Sequence, residues 1–148
     1  MRRKMSLYLA VLLLVVGTST VYAQNSAIQF EAFDFACETG NIILSEEPLI
    51  AGTSVVVPTF IDDRRFLVDA TDFPTVFPGS TWVAPGHGQL LPNGFVAHHA
   101  GFGTGELEGG MIKYKVTPTD VAPPPDCNLV GPAVLLDGVI IFPPGHTP

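Results

Sequence analysis

The sequence predicts an all-β protein, a single antiparallel barrel or sandwich of about eight short strands. Its apolar residues come in short blocks separated by glycine, proline, asparagine and aspartate, the pattern of strands joined by turns. After residue 23, proline and glycine make up 28 of 125 residues and recur every few positions, which leaves no room for a long helix. One block alternates cleanly, with Ile112, Tyr114 and Val116 on one face and Lys113 and Lys115 on the other.

The predicted strands cover residues 28–35, 41–44, 53–60, 65–70, 81–84, 89–91, 95–100, 111–117 and 133–142. A change of phase at residues 33–35 indicates a bulge, and Pro58 marks a strand edge or end. Residues 92–94, Pro-Asn-Gly, predict a hairpin because asparagine and glycine tolerate positive φ. A loop is predicted from residue 72 to 79, and a tight hairpin or bulge at residues 137–138.

The N-terminus has the three parts of a cleavable signal peptide, predicted over residues 1–23. Arg2, Arg3 and Lys4 form a positive region, residues 7–16 are apolar, and Ala23 is a small residue at the cleavage position. A membrane anchor is the alternative, but this apolar run is short against the roughly 20 residues that a spanning helix needs. The expected product is therefore secreted, either to a periplasm or outside the cell, and has no membrane span.

Residues 24–148 are expected to form a single β-domain. Within it, residues 118–125 are a proline-rich connector and residues 143–148 a frayed tail. The domain holds all 14 acidic residues against four basic ones, a formal charge of −10. Such a surface repels phosphate backbones, so nucleic acid is excluded as a partner. The sequence leaves the oligomeric state open.

Only two cysteines are present, Cys37 and Cys127, and in an oxidising compartment two cysteines most often pair. The disulfide closes a loop of 91 residues and ties the first strand to the segment before the last one. A metal pair or a reactive thiol is the alternative, but it lacks the short Cys-x-x-Cys spacing.

The most distinctive stretch is residues 99–111, which contains Gly-Phe-Gly-Thr-Gly-Glu-Leu-Glu-Gly. It resembles a turn found in small exported bacterial proteins of unknown function, and it is similar to the glycine-rich turn of dirigent and allene oxide cyclase-like β-barrels. The resemblance implies an up-and-down barrel with a cavity for a small apolar molecule, and it transfers no catalytic residue. From the residues themselves, Gly101, Gly103 and Gly105 are expected on one face of a strand, where missing side chains let the wall bend or another backbone approach.

A metal site of the His-His-carboxylate type has only weak candidates: His87, His98, His99 and Glu106. His98 and His99 are strand neighbours and point to opposite faces, so they are badly placed to bind one metal together.

The acidic residues at 62, 63, 69 and 72 flank Arg64 and Arg65, and a solvated loop with local ion pairing is the expected structure. Calcium is the alternative, although the usual Asp-x-Asp-x-Asp-Gly order is absent. Glu106 and Glu108 are read as neighbouring surface charges on a strand. No serine lies in a Gly-x-Ser-x-Gly elbow, so the sequence identifies no catalytic residue.

Three hypotheses about function remain. The first is a secreted, non-enzymatic β-barrel that binds a small apolar ligand or acts as an accessory protein, with no cofactor. The second is a cofactor-free isomerase or cyclase that works in a barrel cavity, which a buried ionisable group in a deep apolar cavity would favour. The third is a histidine-based metal-binding protein.

Overall fold

The computed structural model of the protein describes residues 26–146 and residue 148. The predicted signal peptide at residues 1–23 lies outside the described residues. Within them no helix is long and apolar enough to cross a bilayer. The eight strands are β1 Ser26–Cys37, β2 Gly40–Ser45, β3 Gly52–Phe60, β4 Arg65–Pro74, β5 Trp82–Leu91, β6 Gly94–Gly103, β7 Met111–Pro118 and β8 Leu129–Phe142.

Each strand pairs antiparallel with the next one along the chain, and β8 pairs with β1, so the sheet closes into an eight-stranded up-and-down barrel. The all-β prediction is confirmed, and of its two architectures the barrel is the correct one. The β5–β6 hairpin forms at the predicted turn, where Leu91 pairs with Gly94 across Pro92 and Asn93. Gly94 has a φ of +142°, a value that favours glycine.

The alternation predicted for β7 is confirmed, because Ile112, Tyr114 and Val116 are buried while the residues between them are exposed. In β4 the alternation of buried and exposed residues continues beyond residue 70, the predicted end of this strand. The strand runs to Pro74 through the predicted loop, because Asp72 pairs with Ser54 on β3 and with a β5 residue on its other side. The predicted blocks 81–84 and 89–91 likewise belong to one strand, β5.

The tight hairpin or bulge predicted at residues 137–138 is wrong, since both residues lie inside β8 and pair in regular register with β1 and β7. Glycine is needed there for close packing rather than for a turn. A Cβ at Gly138 would meet the backbone of Lys113 and the side chain of Tyr114, which pairs with Gly138 across the β7–β8 ladder.

One end of the barrel, which carries the β2–β3, β4–β5 and β6–β7 connections, is filled by large apolar side chains. Trp82, Leu107, Ile140 and Phe142 are almost completely buried there. The rings of Trp82 and Phe142 lie 6.1 Å apart, and the indole Nε1 donates a hydrogen bond of 2.8 Å to the carbonyl of Leu49. We call this the closed end.

The opposite end, which carries the β1–β2, β3–β4 and β5–β6 turns and the β7–β8 connector, is open. Strand β2 is short and pairs with β3 only through residues 41–43 and 52–54. Residues 55–60, the second half of β3, therefore pair with β4 on one side. On the other side they pair with no strand of the described residues. Pro58 lies in this half of β3, at a strand edge as predicted, where the N–H that proline lacks is not needed for pairing.

A disulfide joins Cys37 at the end of β1 to Cys127 in the β7–β8 connector, which confirms the predicted pairing. The backbone N–H of Glu38 donates to the carbonyl of Asn128 beside it. The bulge predicted at residues 33–35 of β1 is wrong, because β1 keeps a regular register there with both β2 and β8. The β1–β8 ladder shifts only between Phe35 and Cys37, where the extra residues lie on β8, between Ala133 and Leu129. The bridge packs in a small apolar cluster of its own, and it holds the connector at the open end.

Candidate functional site

The interior of the barrel contains a cavity of about 450 Å³ that reaches from the open end to the middle of the molecule. Its wall is almost entirely apolar and includes Phe66, Val68, Phe95, Val116 and Leu136. These residues line it because inward positions alternate with outward ones along each strand. At the rim, Phe60 is 62% exposed, so the cavity communicates with solvent.

Between this cavity and the closed end lies a layer of five polar residues, which we call the polar floor: Asp34, Ser54, Asp72, His99 and Tyr114. Each of them is buried. Most other residues that line the cavity are apolar, Asn41 being an exception; along β4, for example, the buried residues from 66 to 70 precede Asp72. The floor therefore collects the ionisable groups of the interior at one level.

Asp34 is the first carboxyl group of the floor. The hydroxyl of Ser54 donates a hydrogen bond of 2.8 Å to Asp34 Oδ2. The other oxygen, Oδ1, is buried and has no hydrogen-bond partner among the described residues. Burial raises the pKa of Asp34, and the side chains of Ser54 and Asn41 act in the opposite direction. A buried acceptor without a donor is costly, so a molecule that brings a donor to Oδ1 gains free energy there.

Asp72 is the second carboxyl group, and it is 1% exposed. Its pKa is raised from the ordinary 3.8 to about 7, chiefly because burial disfavours the carboxylate and secondarily because Asp34 carries like charge. The hydroxyl of Tyr114 donates to Asp72 Oδ2 at 3.3 Å, which lowers the pKa in part. Near pH 7 Asp72 is therefore present in both its protonated and its ionised form.

Tyr114 and His99 complete the floor and lie face to face, with ring centroids 4.7 Å apart and planes inclined by 8°. Burial, and then the charge of Asp72, raises the pKa of Tyr114 well above 10, so the phenol keeps its proton at pH 7. His99 Nδ1 lies 2.8 Å from the carbonyl oxygen of Ala84, which can only accept; Nδ1 therefore carries a hydrogen. Burial lowers the pKa of His99, so its ring is neutral at pH 7.

Gly86 on β5 makes room for the His99 ring. The two residues pair across the β5–β6 ladder, and a Cβ at Gly86 would lie 2.9 Å from His99 Cγ and Nδ1. Any side chain at this position would push the imidazole away from Tyr114. The glycine is thus part of the geometry of the floor although it contributes no chemical group.

No basic side chain offsets the two carboxyl groups. All four arginine and lysine residues between positions 26 and 146, which are Arg64, Arg65, Lys113 and Lys115, are exposed on the outside of the barrel. Arg65 forms its ion pair with Asp62 in the β3–β4 turn, N···O 2.7 Å, which confirms the solvated, ion-paired loop predicted there. Asp72 does not belong to that loop: the prediction that it does is wrong, because it lies inside the barrel.

The weak metal candidates are not brought together. His87 and His98 pair across β5 and β6 and lie exposed, with ring centroids 6.0 Å apart, whereas His99 points into the interior. Glu106 lies in the 3₁₀ turn Gly105–Leu107 at the closed end. Among the described residues no three histidine, cysteine or acidic side chains form a group that could hold a metal ion. The metal hypothesis stays a prediction.

The glycine-rich stretch has a structural role at the closed end. Strand β6 ends at Gly103, so the prediction that Gly105 continues it is wrong; Gly105 has a φ of +62° and opens the 3₁₀ turn. Gly103 allows the turn to fold against the strand, because a Cβ there would meet Leu107. Gly101 likewise allows close approach of Val83 and Ala84 on β5. The expectation of close backbone approach holds at these two glycines.

A second depression, of about 900 Å³, lies on the outside of β1 and β2 and is open to solvent. Its acidic residues are Glu31, Glu46, Glu47 and Asp137. It lacks a buried ionisable group, so the cavity above the polar floor is the better candidate site.

Sequence reasoning missed Asp34 and Asp72 as the two buried carboxyl groups of the polar floor. The pattern that indicates both is the alternation of inward and outward residues along a strand. Phe30, Ala32 and Asp34 fall on one face of β1, and Asp72 continues the buried face of β4. An aspartate in phase with core residues indicates a buried carboxyl.

Comparison with protein-family models, with curated proteins and with solved structures found no match for this chain. The resemblance to dirigent and allene oxide cyclase-like barrels therefore stays a prediction. The function has to be argued from the cavity and its floor.

Proposed function

We propose that this chain is a secreted β-barrel that binds a small apolar molecule in the cavity above the polar floor. The observation that supports it best is the combination of an apolar wall, a volume of about 450 Å³ and a few buried polar groups at one level. Ligand sites commonly have roughly 300–1,000 Å³ and this division between apolar walls and a few polar groups. Secretion is supported by the N-terminal sequence and by the disulfide, which persists in oxidising compartments.

A neutral fluorescent probe tests the binding proposal. N-phenyl-1-naphthylamine is expected to fluoresce on entering the cavity and to accept energy from Trp82, the only tryptophan of the chain. Ala97→Phe places a ring inside the cavity, because Ala97 is buried and lines it. Ala100→Phe on the exposed face of the same strand is the matched control. The proposal predicts that the probe binds the wild type and the control but not Ala97→Phe; equal signals from all three would overturn it.

A cofactor-free isomerase or cyclase is the second candidate function, and one observation favours it. Asp72 combines a pKa of about 7 with a hydrogen bond from Tyr114 inside an apolar cavity, so it can donate or accept a proton near neutral pH. Proton abstraction and return at two atoms of one substrate shifts a double bond or closes a ring without any cofactor. Tyr114, which keeps its proton, donates its one hydroxyl hydrogen to Asp72 and so stabilises the carboxylate form of the base.

The Kemp elimination of 5-nitrobenzisoxazole tests for such a base without knowledge of the substrate. A carboxylate removes the C3 proton, the N–O bond breaks, and a coloured cyanophenolate forms. The wild type is expected to accelerate this reaction with a rate that rises through a midpoint near pH 7, as Asp72 ionises. Asp72→Asn should lose the acceleration, and Asp69→Asn on the outer face of β4 should keep it. Equal rates for the two variants would reject Asp72 as a base.

A further inference from the structure

The polar floor has an imbalance of charge that indicates the class of ligand. Two buried carboxyl groups, Asp34 and Asp72, lie close enough for the charge of one to raise the pKa of the other. The histidine beside them is neutral at pH 7, and every lysine and arginine of residues 26–146 is exposed outside the barrel. A second ionised carboxylate in the floor therefore has no cation to offset it within the described part of the chain.

The floor also has an unused acceptor. Asp34 is 6% exposed and lines the cavity, and its Oδ1 is buried without a hydrogen bond among the described residues, although the side-chain amide of Asn41 lies near the same carboxyl. Ser54 supplies a hydrogen to Oδ2 only. While Asp34 is ionised, the partner that Oδ1 lacks is a hydrogen-bond donor, and a ligand in the cavity that Asp34 lines can supply one.

The aromatic residues around the floor suit a cation with an apolar body. The ring of Tyr114 lies in the floor itself, stacked on His99. Phe66 and Phe95 pack edge to face in the wall above, with centroids 6.1 Å apart. Ring faces attract cations, and they also pack well against hydrocarbon.

We propose that the ligand is a small apolar amine, bound as its ammonium form between Asp34 and Asp72 with its hydrocarbon body in the apolar cavity. This inference rests on the proposed ligand binding but not on catalysis. An ammonium group brings three donors and one positive charge, and so satisfies Asp34 Oδ1 and offsets the carboxylate pair at once. An alcohol brings one donor and no charge, and a carboxylate would be repelled.

Three probes with one hydrocarbon body separate these possibilities: 3-phenylpropylamine, 3-phenylpropanol and 3-phenylpropanoate. Isothermal titration of the disulfide-bonded protein at pH 7 is expected to show the amine binding at least tenfold more tightly than the alcohol, with no binding of the carboxylate. Asp34→Asn should reduce the affinity for the amine at least tenfold and that for the alcohol less than threefold. Asp69→Asn, which removes an exposed aspartate from the outer face, is the control for net charge.

Proton release gives a second readout that needs no variant. Asp72 faces Asp34, Tyr114 and the neutral His99, so a bound ammonium would be the first positive charge beside it. Its binding should ionise Asp72 and release up to about half a proton per ligand at pH 7, measured by titration in two buffers of different ionisation enthalpy. The alcohol should release none.

The outcomes separate the inference from the proposed function. If the alcohol binds as tightly as the amine, or Asp34→Asn weakens both equally, the amine proposal is overturned while ligand binding stands. If none of the three probes nor N-phenyl-1-naphthylamine binds, both proposals fail.

Discussion

Replacing Asp72 by asparagine is expected to remove most of the dependence of stability on pH between pH 4 and pH 7. In the unfolded chain this carboxyl loses its proton near the ordinary pKa of 3.8, whereas in the folded barrel it keeps the proton up to about pH 7. Between these values the native state binds more protons than the unfolded state, so the free energy of unfolding falls as the pH rises. Above pH 7 both states are ionised and the loss is complete.

The size of the effect follows from the two pKa values. At about 1.4 kcal/mol for each pH unit between 3.8 and about 7, the titration of Asp72 should remove about 4 kcal/mol of the wild type's stability over this range. The raised pKa of Asp34 adds to this loss and the lowered pKa of His99 opposes it, in the wild type and in Asp72→Asn alike. This is a large part of the 5–15 kcal/mol that is typical of whole domains. An amide has no such proton to lose, and it still accepts the hydrogen bond from Tyr114, so the unfolding free energy of Asp72→Asn should change much less with pH.

Urea unfolding with the disulfide intact, at intervals between pH 4 and pH 8, measures this difference directly. Asp69→Asn lies on the exposed face of the same strand and should stay within about 0.5 kcal/mol of the wild type at each pH. If the curves for Asp72→Asn and the wild type run parallel, Asp72 is not a buried carboxyl with a raised pKa and the reasoning about the polar floor is refuted.

Three further predictions concern the supports of the site. Gly86→Ala should destabilise the fold by about 1–3 kcal/mol in urea unfolding, because the new methyl group overlaps the backbone carbonyl of His98 and the ring of His99; an unchanged midpoint would contradict this close packing. Replacing Cys37 and Cys127 together by serine should cost about 4–5 kcal/mol for a loop of this length, and the wild type in a reducing agent should approach the variant; a loss below about 1 kcal/mol would contradict the predicted gain from loop closure. Tyr114→Phe removes a hydrogen bond that lowers the pKa of Asp72, so the carboxyl should titrate at a higher pH in NMR; a downward change would contradict that role.

Much of the fold could be predicted from local chemistry. The hairpin at residues 92–94 follows from Pro-Asn-Gly, and the inward face of β7 follows from its alternation. The pairing of Cys37 with Cys127 follows from their number and the expected compartment. Each of these features depends on a few adjacent residues or on a pair without alternatives.

The polar floor could not be predicted in the same way, because it depends on what opposes a residue across the sheet. The aspartate at position 72, followed by phenylalanine and proline, has the composition of a turn. It lies in a strand because its neighbours on β3 and β5 supply the ladder on both sides. The glycine at position 138 likewise has a cause outside its own segment. Glycine is needed there because Tyr114 on the adjacent strand packs against it, and the residues around position 138 do not reveal this contact.

The most direct test of ligand binding on the polar floor is ¹³C NMR of the side-chain carboxyl carbons of Asp34 and Asp72. Spectra would be recorded at pH 7 with and without 3-phenylpropylamine or 3-phenylpropanol, with Asp69 on the outside of β4 as the internal reference. Binding on the floor predicts that at least one of the two compounds shifts the Asp34 and Asp72 resonances and leaves Asp69 unchanged. If all three carboxyl resonances stay in place with both compounds, ligand binding at the floor is contradicted.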